Sequence, residues 1–133
     1  MTKRLSLSHS AKLLVIVTLA LAMAGCAYMG GQGQEDAKFA AVEVEGSKVW
    51  QGGGTVDLKG RGSKPLTLKV TNTLTADHGF SIDTMKVKGV IKPGEERTIT
   101  VPLGDIDGTV TEHRVYCQLH PKHVAASLKV TGQ

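Results

Sequence analysis

The chain has 133 residues, with 16 Lys+Arg against 12 Asp+Glu and a formal charge of +4. The length allows one domain and no more. Three of the basic residues, Lys3, Arg4 and Lys12, precede residue 26, and no acidic residue occurs before Glu35, so the 108 residues that follow carry 13 basic against 12 acidic side chains. That near-neutral body, with only five aromatic residues, lacks the basic face and stacking platform of a nucleic-acid binder.

The first 25 residues predict an export signal. Lys3, Arg4 and Lys12 form its positive start, and residues 13–25 (LLVIVTLALAMAG) form an apolar run. Thirteen residues are too few for a bilayer core, which needs about 20. The run ends Met23-Ala24-Gly25-Cys26, which resembles the bacterial lipobox except that Met23 replaces the usual Leu. Cys26 is therefore expected to carry a lipid. The alternative is ordinary signal-peptidase cleavage after Ala22-Met23-Ala24. Either route exports the chain. Residues 26–37, rich in Gly and Gln, then predict a flexible tether spanning on the order of 20 Å. With a lipid at Cys26, the domain stands at the periplasmic face of a membrane. Ala27 in place of Asp after the Cys favours the outer membrane, by resemblance to proteobacterial sorting.

Residues 38–133 predict an all-β domain. Leu66, Leu68 and Val70 alternate with Thr67, Lys69 and Thr71, Ile99 and Val101 with Thr98 and Thr100, and Leu128 and Val130 with Lys129 and Thr131. A period of two marks strands with one wet face. Gly52-Gly53-Gly54, Lys59-Gly60-Arg61-Gly62, Lys92-Pro93-Gly94 and Asp105-Ile106-Asp107-Gly108 are expected as turns, the last as a hairpin. The result is an antiparallel Greek-key sandwich of seven or eight strands. No phosphate loop, calcium loop or nucleophile–base constellation is complete.

Beyond the signal remain four histidines and, besides Cys26, one cysteine. Three of these five fall in Cys117-Gln118-Leu119-His120-Pro121-Lys122-His123. A Cys followed by His after two residues, and again after two, is metal-ligand spacing, and thiolate with imidazole suits copper or zinc. His113, on the same strand face as Cys117, is expected as a partly buried, locally bonded histidine, or else as a support for a ligand. Met85 is expected in the core, and Trp50 as a packing residue.

A resemblance sharpens the metal reading. Tyr116-Cys117-Gln118-Leu119-His120-Pro121-Lys122, with Gly79-Phe80-Ser81-Ile82-Asp83 and Val90-Ile91-Lys92-Pro93-Gly94-Glu95 ahead of it, resembles the nitrosocyanin-type red copper cupredoxins over residues 64–130. That likeness implies a cupredoxin fold, one copper per chain, and Cys117, His120 and His123 as ligands. The stretch from Lys122 to the last His is two residues shorter here. The family's fourth ligand, a Glu before Gly-Phe-Ser-Ile-Asp, is His78 in this chain. The loop is also similar to that of the blue copper protein amicyanin, with His123 at the place of the axial Met. Both likenesses converge on one thiolate and three imidazoles. Three neutral imidazoles leave an oxidised site more positive than the Glu-ligated one, so its potential should lie above the Glu-ligated relatives and below Met-ligated blue proteins.

The function expected is one-electron transfer to a redox partner protein. The alternatives are chemistry or sensing of nitric oxide or a related nitrogen oxide at an open copper site, copper capture and delivery, and a zinc site with the same donors. The resemblance also implies a homotrimer.

Overall fold

The computed structural model describes residues 33–133. The signal expected over residues 1–25, the lipid site Cys26 and most of the tether lie outside the described residues. Those described form eight strands: β1 (Ala37–Val44), β2 (Ser47–Asp57), β3 (Leu66–Asn72), β4 (His78–Ile82), β5 (Val87–Ile91), β6 (Glu96–Val101), β7 (Glu112–Val115) and β8 (Ala126–Thr131). Two 3-10 turns, Asp83–Met85 and Leu103–Asp105, follow β4 and β6. Among the described residues no helix is long and apolar enough to cross a membrane.

The all-β sandwich is the fold found. One sheet has the order β6-β3-β1-β2-β8-β7, and β4 and β5 make a second, two-stranded sheet. Alternation places Leu66, Leu68 and Val70 of β3, and Leu128 and Val130 of β8, in the core. Phe39 of β1 and Trp50 of β2 meet Phe80 of β4 edge-on, at ring distances of 5.4 and 5.1 Å, so aromatic rings join the two layers.

Three expectations change. The large sheet is mixed: β1 pairs with β3, and β2 with β8, in parallel. Gly52, Gly53 and Gly54 are not a turn but lie inside β2, with φ of +118°, +103° and +107°. Their register gives the reason. Gly53 closes the antiparallel ladder with β1 at Lys38 and opens the parallel ladder with β8 at Ser127. A β-carbon on Gly52 would lie 2.0 Å from the Lys38 carbonyl oxygen, and one on Gly53 2.2 Å from that of Ser127. Only glycine allows the strand to change partners in that space. Finally, the run from Asp105 to Gly108 is no hairpin, because it leads from β6 to β7 at opposite edges of the sheet.

The sheet has two distinct ends. Where the chain enters, Asp36 forms a bidentate ion pair with Arg61 and accepts from the Thr67 amide at 2.7 Å. At the other end of β1 and β3, the buried Asn72 amide donates to the carbonyls of Ala76 (2.8 Å) and Ile91 (2.9 Å). Asn72 thereby sets the short loop that delivers His78 to the start of β4.

Candidate metal centre

Two segments build the site at the Asn72 end. His78 opens β4 and is buried, held by its Nδ1 against the Ala76 carbonyl at 3.3 Å. A carbonyl only accepts, so Nδ1 carries the proton and the Nε2 lone pair is free. Nε2 is buried with no partner.

The second segment starts where β7 ends. Tyr116 and Ser81 exchange both backbone hydrogen bonds, 2.9 and 3.0 Å, which fixes Cys117 beside β4. The chain then coils. The His120 amide donates to the Cys117 carbonyl at 3.4 Å and the His123 amide to that of His120 at 3.0 Å. Two successive three-residue turns put residues 117, 120 and 123 on one side of the loop, which is why this spacing gathers donors. The exit is pinned by the Val124 amide on the Lys48 carbonyl and the Trp50 amide on the Val124 carbonyl, at 2.9 and 3.0 Å.

All four side chains expected as ligands converge. His78, Cys117, His120 and His123 each present a donor atom, and these atoms all lie within 4.8 Å of one another. The imidazoles stack, with ring centroids 4.7 Å apart for His78 and His123 and 4.5 Å for His120 and His123. The thiol is buried and lies 3.5 Å from Nδ1 of His120, while its sulfur also accepts from the Gly79 amide at 3.2 Å. The loop imidazoles keep contact with solvent.

Electrostatics keep two of these rings neutral. Burial pushes His78 below the ordinary value of 6.5. The Ala76 carbonyl opposes that, and His120 and Lys48 add to it. Burial also lowers His123, with His78, His120 and Lys48 acting the same way. The Nδ1 of His123, like Nε2 of His78, is buried without a partner. Buried ring nitrogens without partners, on neutral imidazoles beside a buried thiol, are costly in a metal-free core and are what a cation needs. The set suits copper or zinc.

The remaining candidates fall elsewhere. Met85 is in the core. His113 is fully buried, its Nδ1 bonded to the Thr84 hydroxyl at 2.8 Å, and burial lowers its pKa. Its partner is 29 residues away rather than local. Trp50 does more than pack: its indole N–H donates to the Gly79 carbonyl at 2.9 Å and its ring meets His78 edge-on at 6.1 Å. Sequence reasoning missed Asn72, Ser81 and Gln118, whose side chains brace the ligand segments. The one available signal was a buried polar residue on an otherwise apolar face, as for Asn72 after Leu66, Leu68 and Val70.

No protein-family model matches the chain, and no curated protein does. Solved structures that resemble it include a laccase-like multi-copper oxidase, CueO, from the lignin-degrading bacterium Ochrobactrum sp. (20% identity, TM-score 0.48, covering 71% of this chain and 26% of that one). A laccase from Pediococcus acidilactici (15%, TM-score 0.46) and a multi-copper oxidase from the same organism (16%, TM-score 0.44) are also similar, each over 71% of this chain and 25% of theirs. The chain thus spans about a quarter of the length of these structures.

Proposed function

We propose that this protein is an exported cupredoxin that holds one copper ion through His78, Cys117, His120 and His123 and exchanges single electrons with a partner protein. The observation that carries the reading is the donor set: one buried thiol and three imidazoles with their donor atoms within 4.8 Å, drawn from two braced segments. Copper bound to soft thiolate and borderline imidazole supplies a one-electron couple. The chain's part is to hold the donors before the metal arrives, through Asn72, the Ser81–Tyr116 pairing and the two turns of the ligand loop. Such bracing limits movement between oxidation states, which is what rapid electron exchange requires.

The surface supports a partner. Leu119 and Val124, 45% and 52% exposed, flank the loop imidazoles with apolar area that a docking protein can dehydrate. Lipidation of Cys26 at the periplasmic face of the membrane completes the proposal; it rests on the lipobox-like run alone.

A second reading, reaction with nitric oxide or a related nitrogen oxide, is favoured by one feature. A cleft of about 340 Å³, lined by Arg114, Tyr116, Cys117, Gln118, Pro121 and His123, adjoins the ligand loop.

The visible and paramagnetic resonance spectra of the Cu(II)-loaded chain, with and without nitric oxide, separate these. An electron carrier gives an intense thiolate-to-copper band that nitric oxide leaves alone. A shifted spectrum moves the assignment to the second reading. Refusal of copper with the thiol intact overturns both, and retention of zinc alone makes the site a closed tetrahedral one.

A further inference from the structure

Gln118 follows the thiol ligand and donates nothing to the metal cluster, yet its carboxamide is engaged at both ends. Nε2 donates to the Gly89 carbonyl of β5 at 2.7 Å, and Oε1 accepts from the Ser81 hydroxyl of β4 at 2.8 Å. The side chain thus bridges the two strands of the small sheet from the ligand loop. Its body lies directly over Gly79. A β-carbon there would be 2.2 Å from Oε1 and 2.4 Å from Cδ of Gln118. Gly79 is also the residue whose amide points at the Cys117 sulfur, at 3.2 Å, while its carbonyl is fixed by Trp50.

We propose that Gln118 is a positioning residue, whose carboxamide joins β4 to β5 over Gly79 and so holds the Gly79 N–H on the Cys117 sulfur. The metal-centred consequence rests on the copper reading above; the effect on the sulfur does not. An N–H aimed at sulfur withdraws charge from it and blocks one approach to it. Freed of the carboxamide, the 78–79 peptide gains room to turn. The sulfur then loses a donor and becomes easier to reach, and bound copper, facing a more electron-rich thiolate, favours the cupric state.

Gln118→Ala, Gln118→Glu and Ser81→Ala separate this role from simple bracing. Gln118→Glu keeps an acceptor for Ser81 but sets a carboxylate oxygen against the Gly89 carbonyl, and Ser81→Ala removes one hydroxyl and little else. In the metal-free full chain, the rate at which iodoacetamide alkylates Cys117, told apart from Cys26 by peptide mass, should rise about tenfold in Gln118→Ala, from the loss of two part-buried hydrogen bonds. Gln118→Glu and Ser81→Ala should rise by less. In the copper-loaded chain, Gln118→Ala should lower the reduction potential and displace the thiolate-to-copper band. A fall in melting temperature with alkylation, band and potential unchanged would make Gln118 a fold-stabilising residue only and overturn the proposal. If the wild-type chain takes up no copper, the proposed function fails, and the alkylation rates still decide the role of Gln118.

Discussion

The indole N–H of Trp50 reaches 29 residues along the chain to the Gly79 carbonyl, at 2.9 Å, while the same ring stands edge-on to His78. One side chain of the large sheet therefore fixes the backbone of the small one directly beside His78.

Trp50→Phe preserves most of the apolar volume and removes that donor. The buried Gly79 carbonyl then goes unpaired, which costs about 1–3 kcal/mol. Denaturant unfolding of the metal-free chain should show this loss. The visible spectrum of the loaded protein should broaden as the position of His78 becomes less defined.

His78 is a residue kept at the expense of the apo fold, since its Nε2 is buried without a partner. His78→Phe should leave apo stability within about 1 kcal/mol of wild type, or raise it. The same change should weaken copper binding at least about 100-fold, or about 2.7 kcal/mol. Competition against a chelator of known affinity measures the second effect, and equal affinity would remove His78 from the ligand set. His123→Ala should weaken binding in the same way.

His78→Glu returns a negative charge to the coordination sphere. The oxidised site then loses one unit of net positive charge, and the low-dielectric surroundings favour Cu(II) more strongly. The reduction potential should fall relative to wild type in a redox titration. An unchanged or higher value in the variant refutes the charge argument.

Acid should destabilise the metal-free chain in two stages. His78, His113 and His123 all have pKa values lowered below the ordinary 6.5, with burial the largest cause for each. Below about pH 6.5 the unfolded chain therefore binds more protons than the folded one, and stability falls as the pH drops. Copper on His78 and His123 keeps protons off them in the folded chain while the unfolded chain still takes them up, so the loaded chain should start from a higher stability and show a steeper decline. The second stage belongs to carboxylates, of which Asp36 is the partly buried one. Burial opposes its ionisation, but Arg61 and the Thr67 amide and hydroxyl outweigh burial and hold the carboxyl below its ordinary 3.8. Its contribution is present above that value and is lost as the pH falls through the folded pKa. Asp36→Asn should diminish the second stage, to which the exposed Glu95, Glu96 and Asp107 also contribute, and leave the first in place, as followed by denaturant titration at stepped pH.

The loop from Cys117 to His123 was legible because its donors are three apart, and three-residue turns translate that spacing directly into one face. His78 was legible only through the likeness around Gly79-Phe80-Ser81-Ile82-Asp83; nothing local distinguishes a ligand imidazole from a core one. The alternating apolar residues of β3 and β8 marked their buried faces correctly, because period two is a property of each strand by itself. Pairing direction is not, which is why the two parallel ladders went unforeseen. Gly52, Gly53 and Gly54 misled because the same residue serves wherever the chain reverses and wherever backbones crowd. Gln118, Ser81 and Trp50 left no trace in the pattern, since the groups they grip are separated from them by 29 to 37 residues.

Asp36 and its Arg61 partner lie at the end of the large sheet remote from the imidazole loop, one eight-residue strand away, or roughly 26 Å at the usual rise per residue. A chain fixed to a gold electrode or a bead through residues ahead of Gly33 would be gripped at that remote end, leaving Leu119, His120 and Val124 accessible. Immobilisation from that side should preserve electron exchange with a dissolved protein, whereas coupling through Lys122 should suppress it.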